Sequence, residues 1–409
     1  MQTYPPQSIA LNTYDARHRN LAAVFEAVRS APGRSRKEIG RDMPFSLQTM
    51  TNVVQELLDM GLIEEAEHAG GRGRGYPQRG LQIIPDRGYA IGMQIRWNAC
   101  IFELVDLSFQ VVDSISCPIQ AEAEDAEGYL TELAAALVAF RAAHGSKDIW
   151  GIGLSGPMPI ELPNIPQHDL HQPLWADQRW FNAFFRKVPV DALRKRLRDV
   201  SDLPVRMLNN PQSAALAQSA ALPENLRLAY VLVGLGLGAA FANGRLISRD
   251  VWPHGGEIGH VIYGGRTLSS VLSASALRES LQMDLPQGVM EAELDRLARE
   301  EPHIFTPWLN EAAPILQFLV NFVEAAIWPD GIALGGFIPD KILELLIARS
   351  LPLPDSVVMR EGDPRRTVPR LFCATRGAAS IPFGAAASVL SHRANPDFPR
   401  FLAARRSPD

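Results

Sequence analysis

Three cysteines in 409 residues, Cys100, Cys117 and Cys373, are too few and too scattered to form a disulfide framework. Their odd number fits a reducing compartment. The N-terminal MQTYPPQSIALNTYD has neither a basic start nor an apolar stretch, so it does not read as a secretory signal. The apolar run 228–244 is glycine-rich and too short to span a bilayer. It reads as a pair of buried strands, and the chain is expected in the cytoplasm with no membrane contact. Positive charge is also lacking. The formal net charge is −5, so any hold on nucleic acid must come from a local patch. There is no low-complexity segment and no short internal repeat. What remains is 46% hydrophobic and 21% charged, the balance of a globular protein, at a length that suggests two or three domains.

The first 84 residues carry helical periodicity. Leu21, Val24, Phe25 and Val28 recur at helical spacing, and Ala31-Pro32-Gly33 stops that helix. Ser35 and Glu38 form a capping box for a short second helix with Ile39 inward. Ser46 caps a third, whose inward positions are Met50, Val53, Val54, Leu57 and Leu58, with Gly61 as its stop. A strand at Leu62-Ile63, the loop Gly70-Gly71-Arg72-Gly73-Arg74-Gly75-Tyr76-Pro77 and a returning strand at 81–84 follow. Helix, helix, helix, strand, loop, strand is the order of a winged helix-turn-helix.

Its third helix carries short polar side chains on the outer N-terminal face: Ser46, Gln48, Thr49, Thr51 and Asn52. Such residues reach base edges and phosphates. Arg36 and Lys37 on the preceding helix are placed to clamp the backbone. Arg72 and Arg74, set among glycines, suit a narrow A·T-rich minor groove. The partner expected is double-stranded DNA. An ordinary three-helix cap with a solvated linker is the competing reading of the same residues.

From residue 85 the texture changes. Strands are expected at 89–95, 99–106 and 111–117, an amphipathic helix at 130–143, then a strand at 149–154. After a basic helix at 193–200 and a strand at 205–208 comes Asn209-Asn210-Pro211-Gln212, with a helix from Ser213. A strand hairpin at 229–242, a long apolar helix at 315–327 and a strand at 331–334 follow. Three antiparallel strands, a helix and a strand, occurring twice, suggest two α/β lobes with a cleft between them.

Several pieces resemble the ROK family of repressors and sugar kinases. They are Leu57-Leu58-Asp59-Met60-Gly61-Leu62-Ile63, Gly71-Arg72-Gly73-Arg74 and Gly88-Tyr89-Ala90-Ile91-Gly92 in the first part. Gly151-Ile152-Gly153-Leu154-Ser155, Asn209-Asn210, the run 234–238, Gly256-Glu257-Ile258-Gly259-His260 and Ile332-Ala333-Leu334-Gly335-Gly336 continue it. Order and spacing make the set specific. The resemblance implies a winged helix-turn-helix over 1–84, then two actin-like, ribonuclease-H-like lobes over 85–205 and 206–379. A C-terminal helix at about 380–400 would complete the first lobe. It also implies a sugar effector and a homodimer or homotetramer.

The same resemblance shows what kinase chemistry would need and this chain lacks. The family base is an aspartate in an Asn-Asp-Ala-Asn run; here that position is Asn210, whose amide accepts no proton near neutral pH. The first phosphate loop is Gly92-Met93-Gln94-Ile95-Arg96-Trp97, bulky and without threonine. The second is Gly234-Leu235-Gly236, better read as a tight strand hairpin. The zinc-binding cysteines expected after the histidine are replaced by 261–270, where one histidine cannot close a tetrahedral site. No metal or cofactor is expected.

Four positions matching the family's sugar contacts survive as candidates for a ligand: Asn209, Asn210, Glu257 and His260, with His254 nearby. Asn210 equally suits the cap of the helix expected from Ser213. The segment 164–186 holds His168, His171, Trp175 and Trp180 and reads as a surface loop rather than a metal site. A sugar-responsive regulator is the leading expectation. A sugar kinase with an atypical site, or a regulator answering to a partner protein, are the alternatives.

Overall fold

The structure is a computed structural model. It describes residues 13–67, 79–96, 98–120, 125–158, 184–222, 226–244, 246–247, 256–283, 287–356, 367–391, 394–395 and 397–403. The chain divides into two compact units. The first takes in the chain up to Tyr89, the turn Asp106–Gln110 and the chain from Leu390 onward; the second takes in the rest.

In the first unit, α1 (Thr13–Ser30), α2 (Arg36–Arg41) and α3 (Leu47–Asp59) precede β1 (Ile63–Glu67) and β2 (Arg79–Ile83). Leu21, Val24, Phe25 and Val28 of α1 are fully buried, as their spacing requires. Each such burial contributes about 1.5–3 kcal/mol. Ser35 accepts from the Glu38 amide while the Glu38 carboxylate accepts from the Ser35 amide, so the capping box at α2 is complete. Ser46 caps α3 by accepting from the Thr49 amide, and Met50, Val53, Val54 and Leu57 turn inward. The strands pair antiparallel from Ile63↔Ile83 to Glu67↔Arg79.

Arg29, in the last turn of α1, joins the distant segments of this unit. Its guanidinium is ion-paired with Glu26, donates to the Leu390 carbonyl at 2.8 Å and lies 3.8 Å from the Phe109 ring centre. Phe109 holds a left-handed φ of 63° in the turn after β4 (Ala99–Asp106), where glycine is the usual occupant. Phe398, on the last helix, packs 5.8 Å from Phe25.

The second unit is built on two five-stranded sheets. One contains β3 (Tyr89–Ile95), β4, β5 (Val111–Pro118), β6 (Ile149–Gly156) and β7 (Val205–Asn209), with α4 (Ala126–Ala143) and α5 (Val190–Ser201) between the later strands. Its order is β5-β4-β3-β6-β7. The chain then passes through α6 (Asn210–Ala220) into β8 (Arg227–Val233), β9 (Leu237–Asn243) and β10 (Leu246–Ile247). A small hairpin of β11 (Ile262–Tyr263) and β12 (Arg266–Thr267) leads to α7 (Ala274–Ser280), α8 (Gln287–Glu300) and α9 (Thr306–Ile327). Next come β13 (Gly331–Gly336), α10 (Asp340–Arg349), β14 (Leu371–Cys373), α11 (Ser380–Leu390) and α12 (Phe398–Ala403). The second sheet runs β10-β9-β8-β13-β14. In chain order both sheets read third, second, first, fourth, fifth strand, so one lobe repeats the other. The short strands β10 and β14 are the members that periodicity does not reveal.

In place of one C-terminal helix there are two. α11 lies against the first sheet so closely that a Cβ on Gly153 would overlap the Ala385 carbonyl. After Leu390 the chain leaves the helix, Asn395 accepts from the Asp397 amide, and α12 packs on α1 in the first unit.

Candidate functional site

On the first unit the exposed face of α3 carries Ser46, Gln48, Thr51 and Asn52, with Thr49 half-buried. Several are already engaged. Ser46 and Thr49 hydroxyls lie 3.0 Å apart in the cap, the Gln48 amide donates to Asn52 at 3.1 Å, and Thr51 back-bonds to the Leu47 carbonyl. A groove of about 800 Å³ between α1 and α3 is lined by Arg17, Asn20, Thr49 and Asn52 among others. Arg36 is not a lone cation, because it and Arg79 share the Glu65 carboxylate at 3.2 and 2.6 Å. Lys37 is exposed. Arg72 and Arg74 lie outside the described residues, as do His254 and the loop with His168, His171, Trp175 and Trp180.

In the second unit, the carboxyl ends of parallel strands are where α/β sheets present ligand-binding residues. There β7 ends at Asn209 and α6 begins at once. The helix starts at Asn210 rather than Ser213, and its cap is Asn209 rather than Asn210. The cause is local: Pro211 fits the first turn, and Gln212 returns the Asn209 bond as the second half of a capping box. Asn209 therefore spends its Oδ1 on the Gln212 amide. Asn210 accepts from the Ser155 hydroxyl at 3.1 Å. Ser155 is the penultimate residue of the apolar strand β6, a partner for the base position that sequence reasoning did not identify.

Glu257 precedes the 3-10 turn Ile258–His260 and His260 is its last residue, with Nε2 and Oε2 4.0 Å apart. His260 is exposed and Glu257 half-buried. A chain of contacts brings this turn near Asn210. A Cβ on Gly238 would meet the Pro211 ring at 2.9 Å, and the neighbouring Ala239 amide donates to the Gly256 carbonyl.

The loop Gly234-Leu235-Gly236 is the tight hairpin between β8 and β9, with the Gly234 amide donating to the Gly236 carbonyl. Its carbonyls hold the start of α7: Gly234 accepts from the Ala274 amide and Leu235 from the Ser275 hydroxyl at 2.6 Å. Ser269 accepts from the Leu237 amide at 3.0 Å. Between His260 and Ser269 the chain forms β11 and β12, turned by Gly264 and Gly265 at φ 59° and 79°. Two successive positive φ values demand glycine and make a two-residue hairpin. Tyr263 of that hairpin stacks on Phe318 of α9 at 4.3 Å. No group of three or more potential metal ligands occurs among the described residues.

Two further polar residues belong to the first sheet. Arg96 follows β3 and lies 5.6 Å from the ring centre of Phe337, which follows β13. Glu103 on β4 is pushed up to about 7 by burial, against the lowering pull of Arg376. Periodicity marks neither: Glu103 sits within the strand 99–106, and Arg96 just past the strand 89–95.

No protein-family profile matches the chain. It is 25% identical over 361 residues to the uncharacterized protein y4fQ of Sinorhizobium fredii, covering 82% of each chain. It is 26% identical over 231 residues to a Caldicellulosiruptor protein that bears the name of a xylose repressor, covering 56% of this chain and 54% of that one. Among solved structures it superposes on a ROK-family transcriptional regulator, a homologue of the Escherichia coli Mlc protein. That match has a TM-score of 0.64 and 16% identity, over 96% of this chain and 99% of the other. The ROK hexokinase of Thermus thermophilus matches with a TM-score of 0.51 and 21% identity, over 74% of this chain and 98% of the other. The fold of this chain is therefore the ROK fold, and its likeness to a ROK regulator runs nearly end to end where its likeness to a ROK kinase stops at three quarters.

Proposed function

We propose that this chain is a ligand-responsive DNA-binding transcriptional repressor of carbohydrate-related genes, and that its kinase-like crevice senses the ligand without catalysing a reaction. The observation that carries the reading is Asn210. The position a sugar kinase fills with a carboxylate base holds an amide whose oxygen already accepts from Ser155. The closed Gly234–Gly236 turn, whose Gly234 amide donates to the Gly236 carbonyl rather than facing a phosphate, points the same way. The regulator likeness and the relative bearing a xylose repressor's name support the rest.

In this reading 1–84 is the DNA-binding head, 85–205 the first lobe and 206–379 the second. Gln48, Thr51 and Asn52 meet bases, and Ser46, Thr49, Arg36, Lys37, Arg72 and Arg74 meet the backbone or minor groove. Asn209, Asn210, Glu257 and His260 meet the ligand. Two half-sites of an operator call for at least a homodimer, and the protein acts in the cytoplasm. The test is fluorescence anisotropy of the full chain on its own promoter fragment against random duplex of the same length. The fragment should bind at least a hundredfold more tightly. Arg72→Ala/Arg74→Ala should weaken binding and flatten its salt dependence by about two charges. Equal affinity for both duplexes defeats the proposal.

A further inference from the structure

Arg96 is the cation the sequence reading passed over. It lies in the run 92–97 that the resemblance matches to the first phosphate loop. Its side chain is half-buried, yet among the described residues it makes no ion pair within 4 Å and no side-chain hydrogen bond, and its Nε is among the buried polar atoms without a partner. Its contact is the face of Phe337. Burial lowers its pKa from the usual guanidinium value, and Glu291 of α8 offsets that only in part. Gln94, two residues earlier and so on the same face of β3, is buried with neither amide atom partnered. A buried charge normally has a partner. Among the described residues Arg96 has none.

Topology sets Arg96 beside the proposed ligand residues. Ile95 packs directly on Gly156, and Gly156 is the register partner of Asn209. Arg96 and Asn210 thus leave the ends of β3 and β7, on either side of β6 and two strand spacings apart, about 10 Å. That span suits a monosaccharide with one charged substituent.

The hydrogen-bond inventory also selects the ligand. Asn209 already uses its oxygen in the helix cap and Asn210 uses its own on Ser155, while both keep their amide NH2 groups as donors. With Arg96 the wall of the crevice is made of donors. A hydroxyl offers a donor as well as an acceptor, whereas a carboxylate or phosphate only accepts.

Resting on the regulator reading above, we propose that the effector is a sugar-sized molecule carrying an anionic group, carboxylate or phosphate, and that Arg96 binds that group. The hydroxyls at the other end face Glu257 and His260.

Isothermal titration of the full chain tests this with gluconate, glucuronate and glucose 6-phosphate against neutral glucose and xylose. At least one acid should bind a hundredfold or more tightly than either neutral sugar. Which acid responds separates carboxylate from phosphate. Arg96→Met should lose that binding by at least a hundredfold. It should also melt at a higher temperature than the wild type when empty, because the unpaired charge is gone. Arg96→Lys should retain the preference for the acid at reduced affinity. Equal binding of acids and neutral sugars, no binding by any acid, or an Arg96→Met protein that melts lower or fails to fold would each overturn the assignment. Binding is read without DNA. Acid binding with no promoter preference would therefore fell the regulator proposal alone, and promoter preference with only neutral sugars bound would fell this one alone.

Discussion

Restoring the missing base should not restore a kinase. Asn210→Asp places a carboxylate at the first position of α6, with the Ser155 hydroxyl 3.1 Å from the existing oxygen. An anion in a helix's first turn gains about 0.3–1 kcal/mol, and a hydrogen bond to a charged acceptor exceeds a neutral one by about 1 kcal/mol. Partial desolvation of the new charge offsets some of this. The variant should be as stable as the wild type or more so by about 1 kcal/mol, a rise of no more than about 2 °C in Tm for a unit of this size. The carboxylate should then be ionised at pH 7, as a base must be. General-base catalysis is worth about 10²–10⁴ in rate, but only when a phosphoryl group is held in line. Nothing restores that hold, because the Gly234 amide remains bound to the Gly236 carbonyl, Leu235 still stands where a hydroxyl would be needed, and Arg96 remains in the run matching the first phosphate loop. ADP release measured with ATP and a panel of hexoses should therefore stay at background in wild type and variant alike. Turnover that appears in Asn210→Asp would refute the argument, since it would mean the crevice still holds a nucleotide.

Other perturbations probe the scaffold. Glu103 is held near pKa 7 against an ordinary value of 4.5, so the folded protein binds its proton more tightly than the unfolded chain does. Its burial penalty is absent below about pH 4.5 and grows as pH rises to about 7. Glu103→Gln should thus melt higher than wild type at pH 8, by no more than about 3 kcal/mol, and show no gain at pH 4.5; an equal shift at both pH values would contradict the assignment. Glu324 holds Arg370 through two bonds of 2.9 Å, both side chains almost wholly buried. Glu324→Gln should cost about 3–5 kcal/mol in urea unfolding, while Glu324→Leu/Arg370→Met should recover most of it. Additive losses in the double variant would mean the pair is not the unit that matters. Ser35→Ala removes the α2 cap and should destabilise the first unit by about 1–2 kcal/mol, read as faster amide exchange over 36–41, with the second unit unchanged.

The parts of the molecule decided by neighbours in the chain could be read from neighbours in the chain. Ser35 and Glu38 are three residues apart and close their box without help from anything distant. The inward positions of α3 follow from helical spacing, and the two-glycine loop between β8 and β9 forms the hairpin its composition implies. The helix start at Asn210 was misjudged by three residues because two adjacent asparagines can both cap, and only Gln212 reaching back distinguishes them. The three-residue strand β14 is too short to show alternation and owes its existence to β13 beside it.

Local pattern was enough to give three helices followed by two strands and then a doubled α/β body, since each rests on short-range spacing; that Asn210 stands at a base position is what the family resemblance implies. Tertiary structure alone decided that Ser155 binds Asn210, that α12 returns to α1, and that Arg96 is half-buried with no ion-pair partner among the described residues. Those depend on desolvation and on partners fifty or more residues away. The energy of a charge or an amide is fixed by what surrounds it, and a sequence does not display its surroundings.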